Sequence, residues 1–311
     1  MRVRSWCLGV LLGGLGTSPV LSQTPTAGAA IEILADGSDA MRPAWSPDGA
    51  QLAFTRASYE GLWVVEADGQ NIRQLSDAPA VGFGFSWAPA GDAILVRTAR
   101  YDGLRRFHTA AVIDVASGET RALTAEQTSM PSPPRWAGAH HALVDAPGGL
   151  QAVAVDADAR TEATAPVVRA TPSGLAVTDP SLGTERLVLP SDVPLLNVTP
   201  SPDGQRVAFE KLGGNLFVVS TDGSGLVDLG SGARPTWSPD GQWVAFQRTE
   251  DDGYAVTASD LVVARADGSA RSALTQTTDR LEMNPSWSPD GRRIAFDDAA
   301  TGALYLLPVT E

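Results

Sequence analysis

The chain has 311 residues, 43 % of them hydrophobic, with a net charge of −13 and one cysteine. It is long enough to bury a sizeable core. The acidic balance argues against nucleic acid and against anionic membrane surfaces as partners.

The first stretch reads as a secretory leader. A short basic start, Arg2 and Arg4, precedes an apolar run over 6–15, and small residues before Gln23 suit a cleavage site after residue 22. The run is too short to span a bilayer as a helix, so no integral membrane segment is expected after cleavage. Removing Arg2 and Arg4 with the leader takes the charge from −13 to −15. Cys7 leaves too, so the remainder has no disulfide, no thiolate metal site and no cysteine nucleophile. A periplasmic or secreted protein is expected. Residues 23–30 read as a flexible leader, and 31–311 as a single domain.

The domain is built from a repeat. Trp-Ser-Pro-Asp-Gly starts at Trp45, Trp237 and Trp287, and Pro200 opens a fourth copy with proline for tryptophan. Each runs into an apolar strand such as Gln51-Leu-Ala-Phe54. Proline pre-sets φ, aspartate bonds its own backbone and glycine takes the positive φ, so the motif is the turn of a hairpin. The competing reading, a ring of aspartates holding cations, is not needed to explain any residue. A second pattern follows in step: Leu62-Trp-Val-Val-Glu-Ala-Asp-Gly69 and Leu216-Phe-Val-Val-Ser-Thr-Asp-Gly223 each lead to one more short strand. The unit is therefore four strands, a to d, with tight turns at a–b and c–d.

Trp87 and Trp136 anchor degraded copies, the second with strand d at 161–164. Four-stranded units at this spacing are β-propeller blades. The interval from Trp136 to Pro200 is longer than one blade, and 166–192 holds three further strand-like runs, the last two resembling a c–d hairpin. The fold class is thus an all-β propeller, with six complete blades plus an abbreviated seventh. A six-bladed ring with an inserted hairpin stays open as the alternative. The last blade ends without a strand d, and Ile31-Glu-Ile-Leu34 is expected to supply it beside Leu304-Tyr-Leu-Leu307.

These residues resemble the TolB-type (WD40-like) β-propeller repeat, and similar repeats form the propellers of prolyl-oligopeptidase-like peptidases. The resemblance covers nearly all of 31–311. It implies an exported propeller that binds protein or peptide. TolB-type proteins carry an α/β domain before the propeller, whereas only 23–30 precedes the first strand here. The peptidases carry a Gly-x-Ser-x-Gly elbow, a pentapeptide missing from this sequence.

Chemistry is sparse. His140 and His141 fall where an a–b turn belongs, and adjacent strand residues face opposite ways, so no metal site is assigned to them. Asp251-Asp252 and Asp297-Asp298 read as neighbours in solvated loops. No cofactor, metal or catalytic residue is expected. Function is sought instead in the uneven b–c loops, 98–109 and 249–259, because loops on a rigid scaffold carry binding. Tyr59, Tyr101, Arg105, Arg106, Phe107, His108 and Tyr254 are the candidate partner-binding residues: aromatics as anchors, arginines as carboxylate forks. The expected partner is a protein or peptide, within a cell-envelope complex or outside one. The alternative is an enzyme, a lyase or hydrolase, acting on carbohydrate or another small ligand in the central channel.

Overall fold

A computed structural model describes residues 23–35, 37–146, 149–156, 166–179 and 184–310. The leader and the strand expected at 161–164 lie outside them. Seven antiparallel sheets form a ring, and the only helical element among the described residues is a 3-10 turn, Ala57–Tyr59. Blade 1 comprises Ala40–Trp45, Gln51–Arg56, Leu62–Glu66 and Arg73–Ser76, as strands a to d. Blade 2 comprises Ser86–Trp87, Ala93–Asp102, Arg105–Asp114 and Thr120–Ala122. Blade 3 has three described strands, Arg135–Trp136, His141–Ala146 and Gly149–Ala154. Blade 4 has Val167–Thr171, Gly174–Asp179 and Thr184–Pro190. Blade 5 is Leu195–Pro200, Arg206–Lys211, Asn215–Ser220 and Val227–Ser231. Blade 6 is Ala233–Trp237, Trp243–Asp251, Val256–Arg265 and Arg271–Ala273. Blade 7 is Glu282–Trp287, Arg293–Asp298 and Leu304–Thr310.

The stretch 166–192 is therefore a blade in its own right. Its last two strands are b and c, one place inward of the c–d hairpin expected. Val167–Thr171 is strand a, because it lies beside strand a of blade 5. The ring closes as the sequence indicates: Ile31↔Leu306, Glu32↔Tyr305 and Leu34↔Leu304 pair antiparallel. Within the stretch read as a leader, Thr26–Ala27 also pairs with Val309 and Thr310.

The core is distributed around the ring. Seven apolar clusters occupy the seven seams between blades, from Ile94 and Val96 against Leu62 at seam 1–2 to Leu34 and Leu304 against Trp45 at seam 7–1. Ala137, Leu143 and Val167 join blades 3 and 4.

The repeated motif has two mechanical roles. In each full copy the serine hydroxyl donates to the aspartate (Ser46 to Asp48, 2.6 Å) and accepts from the backbone five residues on. These bonds hold the carboxyls of Asp48, Asp203 and Asp290 below their ordinary value, the serine bond first. The aspartates are thus spent on their own turns. The tryptophans strap blade to blade. Nε1 of Trp45, Trp87, Trp136 and Trp237 donates to strand a of the preceding blade, at Ser286, Ala44, Ser86 and Thr199.

Candidate functional site

A second repeat lies three residues before five of the six anchors, all but Trp136. Arg42, Gly84, Asn197, Arg234 and Asn284 all have positive φ, between 47° and 72°. Each non-glycine member interrupts the a–b pairing register, so strand a bulges there and the residue faces the central channel. In three blades the polar residue that follows Ala-Phe on strand b secures the bulge of the next blade. Asp297 accepts from the Arg42 backbone N–H (2.9 Å), Glu210 from that of Arg234 (2.5 Å) and Gln247 from that of Asn284 (2.8 Å). Asp297 and Asp298 are consequently 2 % and 1 % exposed, which corrects their reading as loop acids. Burial raises Asp297 from 3.8 to about 7.

The channel holds a cavity of about 640 Å³, lined from six blades. Among the described residues three arginines line it, Arg42, Arg135 and Arg234, and no acid does. None of the three forms an ion pair among the described residues.

A cleft of about 770 Å³ adjoins it between blades 1 and 2, and Phe83 lines both. Its walls are the 3-10 turn after strand 1b, the 1d–2a connection and the 2b–2c hairpin. The a–b and c–d turns gather elsewhere, as at Asp48 and Asp68. The loops expected at 98–109 and 249–259 are hairpins, with Ala93–Asp102 and Trp243–Asp251 running on as strands. Asp102-Gly103 and Asp252-Gly253 are the turn signals that give them away. Leu104 and Tyr254 project fully from the two tips.

Every arginine at the cleft is backed by an aromatic ring. Arg56 lies 4.1 Å from the Trp63 ring centre, Arg97 5.1 Å from Phe83 and Arg106 5.7 Å from Tyr101. Arg42, from the channel side, lies 5.1 Å from the Tyr59 ring, which meets Phe83 edge-on. Arg97 is 8 % exposed and donates to the Met130 carbonyl, yet its Nε and that of Arg106 are buried without a partner among the described residues. His108, near both, is 9 % exposed, and its Nδ1 is equally without a partner among the described residues. Burial, then Arg97 and Arg106, push its pKa down, which keeps the ring neutral at pH 7.

Of the candidate residues, Tyr59, Tyr101 and Arg106 come together at the cleft. Arg105 is exposed and does not line it. Phe107 sits under Arg100, which Glu126 clasps with two 2.7 Å bonds. Tyr254 belongs to the blade 6 hairpin and stands apart from the cleft. Arg56, Arg97 and Phe83 escaped the sequence reading. The signal for Arg97 was available: it holds in blade 2 the place that Thr55, Glu210, Gln247 and Asp297 hold elsewhere.

No protein-family model matches this sequence, and no curated protein sequence does. Solved structures do match. A chain described as TolB from Agrobacterium tumefaciens is 18 % identical over 88 % of this chain and 90 % of its own, with a TM-score of 0.54. A chain of the mitotic checkpoint complex is 14 % identical over 100 % and 99 %, with a TM-score of 0.64. The tricorn protease matches 86 % of this chain with 25 % of its own length, at 16 % identity and a TM-score of 0.50. The fold is a seven-bladed β-propeller, similar to that of the TolB structure. At these identities the likeness speaks for the fold alone. Among the described residues, no helix is long and apolar enough to cross a membrane.

Proposed function

We propose that this propeller is exported and acts as a non-catalytic binding module for a protein or peptide, gripped on the face of the b–c and d–a connections. The observation that carries the reading is the cleft between blades 1 and 2. Its three arginines have aromatic backing and no carboxylate partner among the described residues, and Arg97 and Arg106 carry a buried Nε–H without an acceptor there. Such donors are costly to leave unsatisfied and match acceptors brought by a partner. Leu104 and Tyr254 on the hairpin tips add apolar anchors on the same side of the blades. A propeller in a multiprotein checkpoint assembly and a TolB propeller are fold precedents for such a role.

The test is capture from native envelope extract, with crosslinking and mass spectrometry to define the partner. Arg97→Gln with Arg106→Gln should reduce recovery of the wild-type partner by about tenfold or more. Arg105→Ala should leave it unchanged. Equal recovery by the double variant, with circular dichroism showing it folded, sinks the reading.

A further inference from the structure

The channel arginines pose a separate question. In blades 5 and 7 the bulge residue is Asn197 or Asn284, and in blade 2 it is Gly84; these types adopt the left-handed region readily. Blades 1 and 6 place arginine there instead, both at φ 58°. The backbone does not demand arginine, and a left-handed non-glycine residue carries strain on the order of 1 kcal/mol. The acids nearest the two bulges are already committed, Asp297 and Glu210 to the backbone N–H groups of Arg42 and Arg234. Arg234 Nη1 is steadied by Asn197 Oδ1 at 2.9 Å, and Arg42 by the Tyr59 ring. Burial, then Arg234, push the Arg42 pKa down, so the two cations feel each other across blade 7. A protein of net charge −13 thus lines an acid-free cavity with like charges.

We infer that the channel is a binding site for a small polyanion, a ligand with two or more carboxylate or phosphate groups, held by Arg42 and Arg234. A cavity of about 640 Å³ is in the range of small-molecule sites. The planar guanidinium presents paired donors that fit either oxyanion. Arg135 adds long-range positive potential; its own Nη1 is bonded to the Val168 carbonyl in the seam to blade 4. The site is independent of partner capture at the neighbouring cleft.

The experiment is isothermal titration calorimetry with thermal melts of the purified protein at fixed ionic strength, using citrate and pyrophosphate, with acetate as the monoanion control. Citrate, pyrophosphate or both should bind and raise Tm, and acetate should not. A response to citrate alone identifies a carboxylate ligand, and to pyrophosphate alone a phosphate ligand. Arg42→Asn and Arg234→Asn place in blades 1 and 6 the residue that blades 5 and 7 already use. Each should keep the ligand-free Tm within a few degrees and weaken binding about ten- to a hundredfold. Arg292→Gln, the same charge change at an exposed position away from the channel, should leave affinity within about twofold. The inference is overturned if neither polyanion binds. It is equally overturned if both asparagine variants bind as wild type does, or if Arg292→Gln loses as much affinity as they do.

Discussion

At the scale of single residues, Asp297 and the tryptophans make separable predictions. Asp297 has its pKa raised from 3.8 to about 7, chiefly by burial. A raised carboxyl stabilises the fold fully below the unfolded value, near pH 4, and that contribution is lost as pH rises through 7. The rise corresponds to on the order of 4 kcal/mol. Asp297→Asn keeps the shape and an acceptor for Arg42 without the titration. Urea melts should show the variant gaining on wild type from pH 4 to 7.5; parallel profiles would refute the assignment. Trp237 and Trp287 are both 6 % exposed, but only Trp237 donates to the preceding blade, at 2.9 Å. Trp237→Phe should therefore cost about 1 kcal/mol more than Trp287→Phe, the value of that bond. The role of these tryptophans as buried anchors was legible in the sequence. Their straps were not, because the acceptor is a backbone carbonyl one blade away.

At the scale of elements, the terminal strand closes the ring. Leu34 is 5 % exposed and packs in the seam 7–1 cluster. Removing 23–34 strips the outer edge of Leu304–Thr310 and takes a leucine from the core, worth ~1.5–3 kcal/mol by itself. Tm should fall by at least about 5 °C, or folding should fail. Removing 23–30 alone, which loses the Thr26–Ala27 pair, the Gly28 bond to the Pro308 carbonyl and the packing of Ala27 and Ala30 but keeps Leu34, should have a smaller effect. An unchanged melt after the longer deletion contradicts closure by this strand. Tight turns such as Ser-Pro-Asp-Gly were readable because local chemistry fixes them. The long hairpin of blade 2 hid as a loop because Arg100, Tyr101, Arg105 and Arg106 break the apolar alternation on both arms. The arginine-rich bulges, Arg42-Pro43 and Arg234-Pro235, stood in plain view before the tryptophans. Their function depends on convergence across the channel, which no single repeat encodes.

At the scale of the whole molecule, the status of blade 4 decides how the ring is held. An inserted hairpin would be dispensable; a blade is not. Leu175 is fully buried and shares a cluster with Phe209 of blade 5, and Val167 does so with Leu143 of blade 3. Hydrogen bonds cross both seams, from Arg135 to the Val168 carbonyl and from Arg186 to the Thr221 carbonyl. Excising 166–192 and joining its ends with a short glycine–serine linker would bring Leu143 and Phe209 face to face without the layer between them. Closing the gap would require every remaining seam to open its angle, and close-packed interiors do not accommodate such a change continuously. The excised protein should therefore lose its cooperative melt or appear as aggregate in size-exclusion chromatography. Retention of a single sharp transition and a monomeric elution volume would show instead that six blades suffice. Leu175→Asp is the milder version: it buries a charge at the 4–5 seam and should destabilise by several kcal/mol. It should do so without altering citrate binding by the fraction that remains folded, since blade 4 contributes no residue to the lining of the channel cavity.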